Sequence, residues 1–181
     1  MKIAKYYILF IILLCPRSHF GQENEQRFKF HSTSLSPNFY SGNNATGFMV
    51  NLDLAFAIDG HILKASVMAA AEVDIWTSYQ DNYYSYDLMY GREFMAGRSI
   101  AIDLFGGVGY LHFKTRNPDR RQKGYVDEKT LGFPLQGRLR FRHGKVFNLG
   151  VQIHGNVNGA SSIIAVGPFF QWNFHPEKSQ N

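Results

Sequence analysis

Residues 146–157 read VFNLGVQIHGNV. Phe147, Leu149, Val151 and Ile153 alternate with Asn148, Gly150, Gln152 and His154. Successive side chains of a strand point to opposite sides, so this spacing predicts a strand with one apolar and one polar face. Residues 131–142 repeat the pattern, with Phe133, Leu135, Leu139 and Phe141 opposed to Gln136, Arg138, Arg140 and Arg142. Residues 48–58 repeat it again: Phe48, Val50, Leu52, Leu54 and Phe56 stand against Met49, Asn51, Asp53 and Ala55. No helical period of about 3.6 is sustained anywhere in the chain.

Five further segments alternate less regularly, at 27–35, 61–75, 85–94, 99–114 and 161–174, bringing the expected number of strands to eight. Most are about 9–14 residues long. Strands of soluble sheets average about 5–6 residues, whereas a tilted strand crossing a membrane needs about 9–11. The connections alternate in length. Long ones fall at 36–44 (SPNFYSGNN), 76–84 (WTSYQDNYY) and 115–128 (TRNPDRRQKGYVDE). Short ones fall at Asp59-Gly60, 95–98 (MAGR) and His143-Gly144, and a medium one at 156–160 (NVNGA). Asp-Gly between alternating runs is a hairpin signal. Short turns at one rim and long loops at the other are the layout of a membrane barrel.

The N-terminus has a different character. Lys2 and Lys5 precede the apolar run YYILFIILL at 6–14, Pro16 breaks it, and the stretch from Ser18 ends in a small residue, Gly21. This layout predicts a cleaved secretory signal peptide over 1–21. Cys15, between bulky Leu14 and Pro16, does not fit a lipidation site. The expected domains are therefore the leader at 1–21, a barrel over 22–174 and a C-terminal tail at 175–181. The whole chain of 181 residues carries a formal charge of +5; without the leader's Lys2, Lys5 and Arg17 it carries +2. That balance leaves no nucleic-acid footprint. The single cysteine excludes a disulfide framework and a CxxC site.

Charge decides which face looks out. By parity the polar face carries Arg27, Lys29, Lys64, Arg138, Arg140 and Arg142 against Asp53, Glu72, Asp74, Asp87, Glu93 and Asp103, six of each sign. Buried charges must be paired, so a balanced set is what a filled lumen needs. The expected lumen network consists of those twelve residues. The expected lipid-facing set is Val50, Leu52, Leu54, Phe147, Leu149, Val151 and Ile153. On this assignment Val151→Arg impairs assembly far more than Gln152→Arg. Tyr84 and Tyr86 beside the second long loop, with Trp172 and Phe174 at the chain's end, are expected to form an aromatic girdle; Tyr83 and Tyr90 lie in the same cluster. Glycines at 47, 91, 107, 109, 132, 150 and 167 fall mainly on the lumen face and leave room for its longer side chains. An eight-stranded interior is only wide enough for side chains, which argues against a pore.

The leader, the strand pattern, GGVGYLHF at 106–113 and the terminal VGPFFQWNF at 166–174 resemble small outer-membrane β-barrels of the OmpA/OmpX type. The leader's FGQ at 20–22 resembles those of Bacteroidetes secreted proteins. The resemblance implies a closed eight-stranded antiparallel up-and-down transmembrane β-barrel in the outer membrane of a Gram-negative cell. It also implies insertion by the barrel-assembly machinery, with Phe174 as the aromatic end of the recognition strand. The HPEKSQN tail at 175–181 departs from that pattern, whose signal lies at the very C-terminus.

Candidate chemistry is sparse. Some small barrels are lipid A deacylases or acyltransferases, which directs attention to His154 with Ser161 or Ser162 and an acid such as Glu72 or Asp87. A triad needs the His within reach of both partners, and a lumen-facing His154 is poorly placed for a membrane ester. No metal-ligand grouping and no cofactor motif is present. The reading is a non-conducting integral outer-membrane protein with a structural or surface-interaction role through its long loops. Its expected partners are outer-membrane lipid, lipopolysaccharide, the assembly machinery and extracellular ligands, with no nucleic acid. Two alternatives remain open: a soluble calycin-like ligand-binding barrel, with Leu149 and Val151 inside, and a lipid A-modifying hydrolase.

Overall fold

The computed structural model describes residues 28–42, 46–72, 82–97, 99–116, 125–141, 146–160 and 162–174. Its strands are β1 (Lys29–Gly42), β2 (Thr46–Ile58), β3 (His61–Glu72), β4 (Asn82–Met95), β5 (Ile100–Arg116), β6 (Tyr125–Phe141), β7 (Phe147–Asn158) and β8 (Ile163–Asn173). Each pairs antiparallel with its neighbours in sequence, and β8 returns to pair with β1, closing an eight-stranded up-and-down barrel. Closure leaves no free edge strand. No helix occurs among the described residues.

Local chemistry explains the turns. Asp59 and Gly60 both have positive φ, 48° and 79°, as a type I′ turn requires. Gly97 (φ 85°) supplies the left-handed position between β4 and β5. The expected His143-Gly144 turn, the leader at 1–21 and the tail at 175–181 lie outside the described residues, as do Arg27, Asp74 and Arg142.

Two expectations are corrected here. The long connection read at 36–44 is mostly strand: β1 runs on to Gly42, and only 43–45 separate it from β2. Ser36, Pro37, Asn38 and Gly42 have turn-like composition, but Ser36 and Asn38 are small polar residues facing a lumen. Lys29 is exposed at the turn-side rim and takes no part in the buried network. A β-bulge at His31, where Phe30 pairs with Phe56 and Ser32 with the adjacent Ala55, switches the parity of β1 just above it.

The pleat sorts the side chains. Along β7, Phe147, Leu149, Val151 and Ile153 are outside, while Asn148, Gly150, Gln152, His154 and Asn156 are buried. Leu149 and Val151, which a soluble barrel would carry in its core, stand on the outer wall, Val151 at 48% exposure. The outer wall of β2 is likewise Phe48, Val50, Leu52 and Leu54. Inward glycines relieve crowding. A Cβ on Gly109 would sit 2.0 Å from Asp87 Oδ1, and one on Gly132 would sit 2.2 Å from Asn156 Oδ1.

Candidate functional site

The interior is the most organised chemical environment in the molecule, and it is layered. At the turn-side end are the charges. Asp53 (β2), Lys64 (β3), Asp87 (β4), Asp103 (β5), Arg138 and Arg140 (β6) are buried there, three of each sign. Arg138 is ion-paired with Asp53, which also accepts from Ser34 Oγ at 3.0 Å. Arg140 bridges Asp103, at 3.2 Å, and Glu93, which is partly exposed nearer the rim. Lys64 donates to Gln136 and lies 3.7 Å from the centroid of Phe105, while Arg138 lies 4.6 Å from that of Phe169. These cation–π contacts replace water on the sides of the two cations that their hydrogen-bond partners leave open. Asp87 accepts from Ser85. Glu72 is at the opposite, loop-side end of β3, half-buried and apart from this cluster.

Above the charges runs a belt of amides. Gln152 Oε1 accepts from Ser36 Oγ at 3.1 Å, Gln136 Nε2 at 3.1 Å and Arg138 Nε at 3.0 Å. Its Nε2 donates to Asn38 Oδ1 at 3.2 Å, and Asn38 Nδ2 donates to Asn51 Oδ1 at 3.3 Å. One amide thus joins β1, β6 and β7 across the lumen. Counting only charges misses this hub; the parity that places Gln152 on the polar face was its sequence signal.

The loop-side end of the lumen is apolar. Tyr40, Met49, Met68, Ala70, Tyr83, Leu111, Phe113, Ile163 and Ala165 form one buried cluster. Tyr83 therefore turns inward, out of the aromatic group on the surface, and its ring stacks on Phe113 at 5.8 Å between centroids. Tyr84 and Tyr86 are exposed on the outer wall at the loop end, and Trp172 and Phe174 at the turn end. There Phe30 packs on Phe56 and Phe174, and Phe147 on Trp172.

A small cavity enters from the turn side between Ser32, Glu93, Arg140 and Gln171 and ends at Asp53, Lys64 and Arg138. It has room for about one water molecule. His154 is fully enclosed at 0% exposure, and neither ring nitrogen has a hydrogen-bond partner among the described residues. The hydroxyl of Ser162 is engaged with the backbone of Asn158, at 3.4 Å to both its N–H and its carbonyl. Ser161 lies outside the described residues. Neither Ser162 nor an acid hydrogen-bonds His154; a serine–histidine contact occurs instead between His31 Nδ1 and the adjacent Ser32 Oγ, at 2.9 Å, and no cluster of three metal-ligating side chains occurs among the described residues.

Enclosed charges and amides in the turn-side part of the lumen, an apolar outer wall and closure by β8 on β1 define the architecture. The fold is that of the small outer-membrane β-barrels. Neisserial surface protein A superposes with a TM-score of 0.61 at 10% identity, over 80% of this chain and 96% of its own. Ail of Yersinia pestis, solved with the heparin analogue sucrose octasulfate, gives 0.57 at 10% identity over 81% and 99%. The outer membrane enzyme PagL gives 0.51 at 17% identity over 78% and 99%. No family model and no curated protein matches the sequence. At these identities the shared property of the small outer-membrane β-barrels is the architecture.

Proposed function

We propose that the chain is an integral outer-membrane β-barrel that does not conduct and that acts through its loop-side surface. The observation that carries this reading is the inversion of the wall. Residues such as Leu52, Leu149, Val151 and Ile153 are exposed, while Asp53, Lys64, Asp103, Arg138 and Arg140 are enclosed and paired or hydrogen-bonded. In water this arrangement spends buried charge and exposed apolar surface at once; in a bilayer both become favourable. Non-conduction follows from the two seals, the charged network below and the apolar cluster above.

The loops at 73–81 and 117–124 lie outside the described residues, and the surface role is assigned to them and to the rim they spring from. On that rim β5 reads outward Val108, Tyr110, His112, Lys114, a passage from apolar to aromatic to basic. His112 faces Lys129 across the β5–β6 pair and bonds Asp127 at 2.5 Å. Such a gradient matches hydrocarbon, interface and the phosphates of lipopolysaccharide in turn. The hydrolase alternative is disfavoured by an enclosed His154 with no orienting partner. The test is fractionation: the account expects membrane-bound protein whose gel mobility in detergent shifts on heating. Folded protein in a detergent-free periplasmic extract would overturn it.

A further inference from the structure

The pairing of β1 with β8 holds at Leu35–Phe170 and resumes at Phe39–Val166, but lapses over the three steps between. Carried through the gap, the register sets Pro37 opposite Pro168. Neither has a backbone N–H. In an antiparallel ladder, opposed residues alternate between exchanging both bonds and none. Loss of one bonded pair therefore also removes the pairing of its two neighbours, which is the extent of this lapse.

The breach is confined to the seam. Pro37 remains paired with Val50 on β2, and Pro168 with Val151 on β7. The other proline within a described strand, Pro134, accompanies a shorter lapse between Gly106–Leu135 and Gly109–Gly132, with proline on one strand alone. Among the described strands, prolines oppose each other at the β1–β8 closure. The Pro37 carbonyl points across it: a Cβ on Gly167 would lie 2.2 Å from that oxygen. The N–H that would meet the oxygen in a regular ladder belongs to Pro168. Both proline rings are outside, and the amide belt of Ser36, Asn38 and Gln152 is directly behind them. Backbone acceptors in hydrocarbon demand a donor, and the polar lumen is the available source.

We propose that the β1–β8 seam is a lateral gate. It parts at mid-height while the rims stay paired, and it admits small hydrogen-bond donors, water first, from the lumen to the proline carbonyls. This concerns the wall itself and holds whatever the loops bind.

Amide hydrogen exchange of the barrel in detergent micelles, read residue by residue, tests it. The amides of Leu35, Phe39, Val166 and Phe170 are expected to exchange at least about tenfold faster than those of the unbroken β2–β3 ladder. Pro37→Val with Pro168→Val, which restores both donors, should slow them to the β2–β3 level, and Pro37→Val alone should give an intermediate rate. Seam amides as slow as the β2–β3 ladder in the parent, or fast ones that the double substitution leaves unchanged, overturn the gate. Loss of protection in both ladders would count against the membrane barrel, and the gate with it.

Discussion

Arg138 on β6 reaches across the lumen to the carboxylate of Asp53 on β2, and both side chains are almost sealed from solvent, at 3% and 1% exposure. The pair ties opposite walls of the barrel together through the middle of the chain.

Breaking that pair from one side leaves a buried charge. Arg138→Ala or Asp53→Ala alone is expected to cost about 3–5 kcal/mol in urea unfolding in micelles. The double substitution should cost less than the sum of the two. Strict additivity would show that the two groups do not interact.

Gln152 carries a different burden. Because its oxygen serves three donors, Gln152→Leu strands the donors on Ser36, Gln136 and Arg138 and should destabilise the barrel by about 1–3 kcal/mol. The same geometry corrects the comparison of Val151→Arg with Gln152→Arg: an arginine at 152 also enters a packed, satisfied network, so it is no neutral control. Val151→Leu is the proper one. Against it, Val151→Arg should cost about 2–4 kcal/mol of folding into liposomes.

Glycine at 150 is set by backbone. A Cβ there would lie 2.1 Å from the carbonyl oxygen of Leu139 and 2.7 Å from the ring of Phe169. Gly150→Ala should destabilise by about 1–3 kcal/mol, whereas Gly159→Ala, with open space around it, should not. Thermal gel-shift midpoints compare the two.

Conductance tests the seals. Purified protein in a planar bilayer should give no stepwise current. Phe113→Ala with Tyr83→Ala removes both stacked rings of the loop-side cluster and should raise leak of small solutes from liposomes. A parent protein that conducts steadily contradicts the sealed lumen.

Much of this architecture was legible because period-2 alternation is unambiguous over long strands. The outer faces of β2, β6 and β7 followed directly from it. What escaped were places where one residue type serves two purposes. Ser36 and Asn38 are turn formers by composition, yet a narrow lumen selects the same small polar groups. Tyr83 and Tyr84 are adjacent and alike, and only their parity separates a packed interior ring from a surface one. The bulge at His31 changes parity without a compositional mark. The apolar upper lumen has no compositional mark of its own, because Met49, Met68 and Leu111 share a face with the charged residues.

The central claim is that the apolar side of each strand meets hydrocarbon, and a single reporter reads it most directly. With Trp76 and Trp172 replaced by Phe, Val151→Trp provides one tryptophan on the outer wall of β7. In liposomes of lipids brominated at mid-chain, the account predicts strong quenching of its fluorescence and blue-shifted emission. Emission at the wavelength of water-exposed tryptophan, untouched by the brominated chains, would contradict it.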